Sequence, residues 1–198
     1  MRVGLGGFLV FSLLFSLAPG GGPRAAEKAG PMPAAARALV ARHHMQPIPQ
    51  EGGWFAQVLR TPEMLPGGAL PARYGGRAHP LSTAIFVLET RRDFSALHRL
   101  ATDEVWHFYG GDPIRMLLLY PDGRGRTVTL DGGNPLFVVP QGVWQGSMPA
   151  GPRGWSFGGT TMAPGFMPED FVLGDRAALA RAYPGFADAI ARLTRGAS

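Results

Sequence analysis

The chain has no cysteine. That excludes disulfides, thiolate metal ligands and a cysteine nucleophile. It leaves export open, because there is no thiol to misoxidise. Lysine is nearly absent as well: Lys28 stands alone. Charged residues make up only 17% of the sequence, and no basic stripe interleaved with aromatics occurs. From residue 31 onward 16 arginines face 13 acidic residues, so most of the chain carries only +3 of the total +5. The electrostatic footprint of a nucleic-acid binder is missing, and no nucleic-acid partner is expected. Gly-x-Ser-x-Gly elbows, phosphate loops and dinucleotide fingerprints are also absent, which removes the commonest hydrolase and nucleotide-binding readings. Gly4-Leu5-Gly6-Gly7 sits in an apolar leader and carries no such meaning.

Only one long apolar run exists, Val3 to Ala18 after Arg2. It falls short of the roughly twenty residues of a spanning helix. Small residues and a helix breaker follow at Ala18-Pro19-Gly20-Gly21-Gly22. This is the pattern of a cleaved secretory signal, with an uncleaved anchor as the alternative. Residues 1–30 are thus expected to be signal peptide and linker, and the protein to be secreted or periplasmic.

What remains is rich in turn formers, with Gly 29 and Pro 19 among 198 residues. That length suits one domain with a real core, expected over residues 34–195. A short helix is read at Pro33–His44, and strands at Trp54–Arg60, Ser82–Glu89, Phe94–Leu100, Val105–Tyr109, Ile114–Tyr120, Thr127–Leu130, Leu136–Val139, Trp144–Met148 and Trp155–Met162. Period-2 patterns and short apolar runs bounded by turn residues support these strands. Ile114–Tyr120 is apolar apart from Arg115, as in a strand buried on both faces. Residues 62–80 have no periodicity and read as a long loop, a lid or a dimer arm. The tail at Arg176–Thr194 reads as a helix broken near Pro184. Short strands at regular spacing, with helices only at the ends, predict an all-β double-sheet barrel.

The run Leu97 to Gly111 holds two histidines and a glutamate within ten positions. His98 and Glu104 flank a tight turn, so adjoining antiparallel strands can aim both into the barrel. There they can bind a divalent metal, act as base and acid, or form a plain structural hydrogen bond. Alternation turns Glu104, Trp106 and Phe108 inward and His107 outward. Gln145 follows the turn Pro140-Gln141-Gly142 and can orient a ligand oxygen, although an amide is a poor zinc or iron ligand. Glu51, before Gly52-Gly53, can enter the pocket or cap a turn. Trp106 and Trp144 can wall an apolar slot or serve as core. Thr161 is read as a ligand contact, with a simple strand position as the alternative. His43 and His44 are adjacent on a helix and make no metal pair.

Five runs in order carry a resemblance: Gln50-Glu51-Gly52-Gly53-Trp54-Phe55, Leu81 to Phe86, Leu97 to Gly111, Val138 to Gly146, and Thr160 to Arg176. The chain resembles a cupin, and more narrowly the fifth cupin family, first catalogued as a domain of unknown function. The resemblance implies a double-stranded β-helix (jelly-roll) barrel with short flanking helices, usually paired as a homodimer. It also implies kinship with sugar epimerases and isomerases, auxin-binding proteins and seed storage proteins, and links some members to isomerase or tautomerase chemistry on small sugar-derived enols. Metal cupins carry His-x-His, a glutamate and a later histidine. Here Ala96 and Gln145 replace two of those histidines, so no resident metal is expected, with at most weak divalent binding through His98 and Glu104. Ile48 stands where the family turn has a histidine. The expected function is a metal-independent isomerase, epimerase or tautomerase of a small carbohydrate-derived ligand. His98 and Glu104 would be catalytic, and Glu51, Trp106, Trp144, Gln145 and Thr161 would contact ligand. The alternatives are a non-catalytic binding protein and a metal-dependent enzyme.

Overall fold

A computed structural model describes residues 31–195. The expected signal and linker, residues 1–30, lie outside the described residues. Helix α1 (Ala34–Arg42) is followed by strands β1 (Gln46–Pro47), β2 (Trp54–Arg60), β3 (Met64–Leu65), β4 (His79–Pro80), β5 (Thr83–Thr90), β6 (Ser95–Arg99) and β7 (Glu104–Gly111). Then come β8 (Ile114–Leu119), β9 (Gly125–Leu130), β10 (Leu136–Val139), β11 (Trp144–Pro149), β12 (Trp155–Met162) and β13 (Val172–Leu173), and helices α2 (Arg176–Ala182) and α3 (Ala187–Arg192). Among the described residues no helix is long and apolar enough to cross a membrane.

The strands form a six-stranded sheet, β1-β2-β5-β12-β7-β10, and a five-stranded sheet, β13-β6-β11-β8-β9. Every pairing is antiparallel. The small β3–β4 ribbon lies within the loop predicted between residues 62 and 80. Side chains alternate between faces, so each sheet offers one face to the other. Val87, Trp106 and Val139 from the first sheet meet Ile114, Met116, Leu118 and Leu130 from the second. These seven residues join the sheets into one barrel core, the jelly-roll arrangement.

Strand β8 explains its own apolar run. Ile114, Met116 and Leu118 point into the barrel. Leu117 and Leu119 point outward, under Leu179, Tyr183, Ile190 and Leu193 of the tail. The tail helices therefore cover the outer face of the five-stranded sheet. Helix α1 does the same for part of the other sheet, where Ala36 and Met45 pack on Leu88, Trp54 and Phe157.

Candidate active site

The interior is not uniformly apolar. Next to the hydrophobic core lie buried polar residues from β5, β6, β7, β11 and β12. Strand register assembles them. Gln145 on β11 is the direct partner of His98 on β6, and direct antiparallel partners share a face. Trp106 on β7 is the partner of Thr160 on β12. Glu104 sits two residues before Trp106, hence on the same inward face.

A hydrogen-bonded cluster results. Gln145 Nε2 donates to Glu104 Oε2 at 2.6 Å. Trp106 Nε1 donates to Glu104 Oε2 at 3.2 Å and to Gln145 Oε1 at 3.0 Å. Burial pushes the Glu104 carboxyl above the usual carboxylate range, opposed by the charge of His98, while Glu51 pushes it further up. Hydrogen bonds from Thr160 and Gln145 work to hold it down.

His98 is 3% exposed. Its Nδ1 lies 2.8 Å from the Ala96 carbonyl oxygen. A carbonyl only accepts, so Nδ1 carries a proton, and whenever the ring is neutral Nε2 keeps its lone pair. Glu51 Oε1 lies 3.7 Å from the same Nδ1 and accepts from Ser95 Oγ at 2.6 Å. The turn before β2 makes this approach: Gln50, Gly52 and Gly53 all have positive φ. A Cβ on Gly52 would collide with the Phe94 carbonyl oxygen at 2.8 Å, so the turn requires glycine there.

Two segments close over this cluster. Phe171 stacks on the His98 ring with centroids 5.1 Å apart. The preceding residue, Asp170, is buried and pairs with buried His79 of β4 at 2.6 Å. His79 Nδ1 also lies 2.9 Å from the Arg77 carbonyl oxygen, so both ring nitrogens face acceptors. Tyr74, edge-on to His79, accepts from Thr102 Oγ1 at 3.0 Å. The loop before β5 and the segment before β13 are thereby fastened to each other and to the β6–β7 turn.

Strands β6 and β7 belong to different sheets, so His98 and Glu104 do not sit on adjoining paired strands as expected but on opposite walls of the barrel. Among the residues singled out from sequence, His98, Glu104, Gln145, Trp106 and Glu51 come together. Two do not. Trp144 neighbours Gln145 and so points outward; it packs in the tail-helix cluster, with the Arg99 guanidinium 4.8 Å above its ring. Thr161 is likewise turned out by alternation, 3.2 Å from His107 Nε2 on the outer face. Thr160 is the inward threonine. Sequence reasoning also passed over Phe171, Ser95, Ser147 and Glu89. Glu89 had a readable signal, because it continues the inward series Thr83, Ile85, Val87 of β5.

The cupin resemblance raises the question of a metal. The donors present do not fit a tightly held one. Glu104 is already engaged by an amide and an indole donor, and the Gln145 carbonyl is taken by Trp106. Among the described residues no group of three or more His, Asp or Glu side chains is arranged to hold an ion.

Comparison with known proteins agrees with the architecture. A hypothetical protein from Leishmania major is 27% identical, with a TM-score of 0.71 over 81% of this chain and 99% of that one. A protein from Shewanella oneidensis is 26% identical, with a TM-score of 0.71 over 84% of this chain and 99% of that one. No curated protein matches. The family model described as "Cupin superfamily (DUF985)" matches residues 37–174, a span that contains the inward cluster of Glu51, His98, Glu104, Trp106 and Gln145, and the chain belongs to that cupin family.

Proposed function

We propose that this cupin is a metal-independent isomerase, epimerase or tautomerase of a small hydroxy-carbonyl compound of carbohydrate type. One observation carries the reading: the Ala96 carbonyl fixes the His98 tautomer, which leaves a basic Nε2 in a water-poor interior shared with a carboxyl whose proton affinity burial has raised. Such a pair suits proton transfer beside a carbonyl. His98 Nε2 takes the proton from the carbon next to the carbonyl, and the electron pair moves into an enediol or enolate. Glu104 orients the ligand or returns a proton to the neighbouring atom, so the net change is a shift of hydrogen within one molecule. Gln145, Glu51 and Thr160 hold ligand oxygens, and Trp106 forms the apolar floor. The stacked Phe171 and its fastened segment keep water out.

The test is exchange in D2O, followed by proton NMR, with dihydroxyacetone and the free aldopentoses and aldohexoses as substrates. Deuterium should enter beside the carbonyl of one of them, and His98→Ala should lower that rate at least about a hundredfold, the usual worth of a positioned base. Unchanged exchange in His98→Ala rejects the mechanism. The closed interior under Phe171 also supports a second reading, a binding protein without turnover; bound sugar with no exchange would establish it. Elemental analysis of protein purified without chelators belongs beside both. About one equivalent of a transition metal per chain would redirect the search to metal-assisted chemistry. Export through the N-terminal segment and pairing as a homodimer are part of the same proposal.

A further inference from the structure

Glu89 is 1% exposed and faces into the barrel from β5. Ser147 Oγ donates to its Oε1. Its Oε2 has no hydrogen-bond partner, and it is the one buried side-chain oxygen or nitrogen in that condition among the described residues. An unpartnered buried oxygen loses the hydrogen bond that water gave it in the unfolded chain, so its presence calls for a use. Its surroundings connect it to the site. Ser147 is the direct strand partner of Ser95, and Ser95 holds Glu51, which lies beside His98. Two serine–carboxyl pairs thus stand side by side, and the fully buried one, Ser147–Glu89, keeps a free oxygen.

We infer that the free oxygen of Glu89 is a ligand-binding group of this interior site, holding a hydroxyl or carbonyl oxygen of the small polar molecule. The inference rests on the hydroxy-carbonyl reading above and adds a second anchor to it. Burial, reinforced by the charge of Glu51, pushes the Glu89 carboxyl up to about 8. At neutral pH the group is therefore largely a neutral acid that can donate from its free oxygen. Such a donor selects ligands with an acceptor oxygen at that end and disfavours a cation there.

Wild type, Glu89→Gln and Glu89→Leu are compared by calorimetric titration with dihydroxyacetone and the free aldopentoses and aldohexoses, after circular dichroism has checked folding. Glu89→Leu should weaken the sugar that wild type binds by about tenfold, the worth of one hydrogen bond. Glu89→Gln, which keeps an N–H donor, should bind nearly as wild type at pH 7. Wild-type affinity should fall between pH 7 and pH 9, and Glu89→Gln should abolish that fall. Wild-type affinity in Glu89→Leu, or an unchanged pH profile in Glu89→Gln, overturns the inference and leaves the reading above intact. If wild type binds none of these sugars, that reading is overturned and the inference with it. Should Glu89→Leu fail to fold, the pH profile of Glu89→Gln still decides.

Discussion

Single residues here differ more in surroundings than in type. The barrel holds three interior carboxyls, and each has its own fate. Glu51, partly exposed, accepts from Ser95, Glu104 from Gln145 and Trp106, and the fully buried Glu89 from Ser147 with one oxygen left over. Stability should record this. A glutamate whose pKa is raised on folding takes up a proton as the chain folds. Its stabilising share is complete below the unfolded value of 4.5 and is lost as pH rises toward about 8. Glu104 shifts in the same direction and adds to the slope. Glu89→Gln should therefore flatten the fall in melting temperature from pH 5 to pH 9 and leave the variant more stable than wild type at the alkaline end, by an amount on the order of a few kcal/mol. Urea unfolding at several pH values measures it; an unchanged slope would mean that Glu89 is ionised in the folded protein. Gln145→Ala should cost about 1–3 kcal/mol by stripping the Glu104 carboxyl of its short amide bond, and the same titrations would show it.

At the scale of elements, strand alternation does most of the work. It was readable in advance for β7, where Glu104 and Trp106 turn inward and His107 outward. On β12 the inward residue is Thr160, not Thr161, and on β11 Gln145 turns inward as expected while its neighbour Trp144 takes its alternative reading as core, packed under the tail helices. A strand has no intrinsic inside, and a one-residue change of register exchanges its two faces. Only pairing of Gln145 with His98 and of Thr160 with Trp106 assigns them. The long loop read between residues 62 and 80 hides more structure than its prolines and glycines suggest. Its tie to the segment before β13 is the His79–Asp170 pair, 91 residues apart in sequence, beside the Tyr74–Thr102 bond to the β6–β7 turn. Breaking one partner of a buried pair costs about 3–5 kcal/mol. Asp170→Ala should therefore destabilise the fold by that order and speed hydrogen exchange in residues 61–80 and 166–174 ahead of the core strands. Exchange that rises uniformly would show that these segments do not open separately.

The molecule as a whole is two sheets sealed by one core and clad by terminal helices. Leu118 sits at the centre of that core, fully buried. Leu118→Ala should cost about 2–5 kcal/mol and lower the denaturant midpoint without a change in its m-value. The outer face of the six-stranded sheet is different, for it leaves Tyr109, Leu136 and Val138 exposed. If the proposed homodimer covers that face, sedimentation equilibrium will give twice the mass of the single chain, and Leu136→Asp will return it to one. The sequence by itself determined the all-β class, the order of the nine strands of four or more residues, the helical tail and the inward turn of Glu104 and Trp106 on β7. These follow from local periodicity, turn chemistry and short separations along the chain. Only the tertiary structure decided which threonine and which tryptophan face inward, which loop closes the barrel, and that Glu89 ends beside the Ser95–Glu51 pair with an oxygen to spare. Those facts depend on contacts between residues tens of positions apart, and no local pattern encodes the register that makes them neighbours.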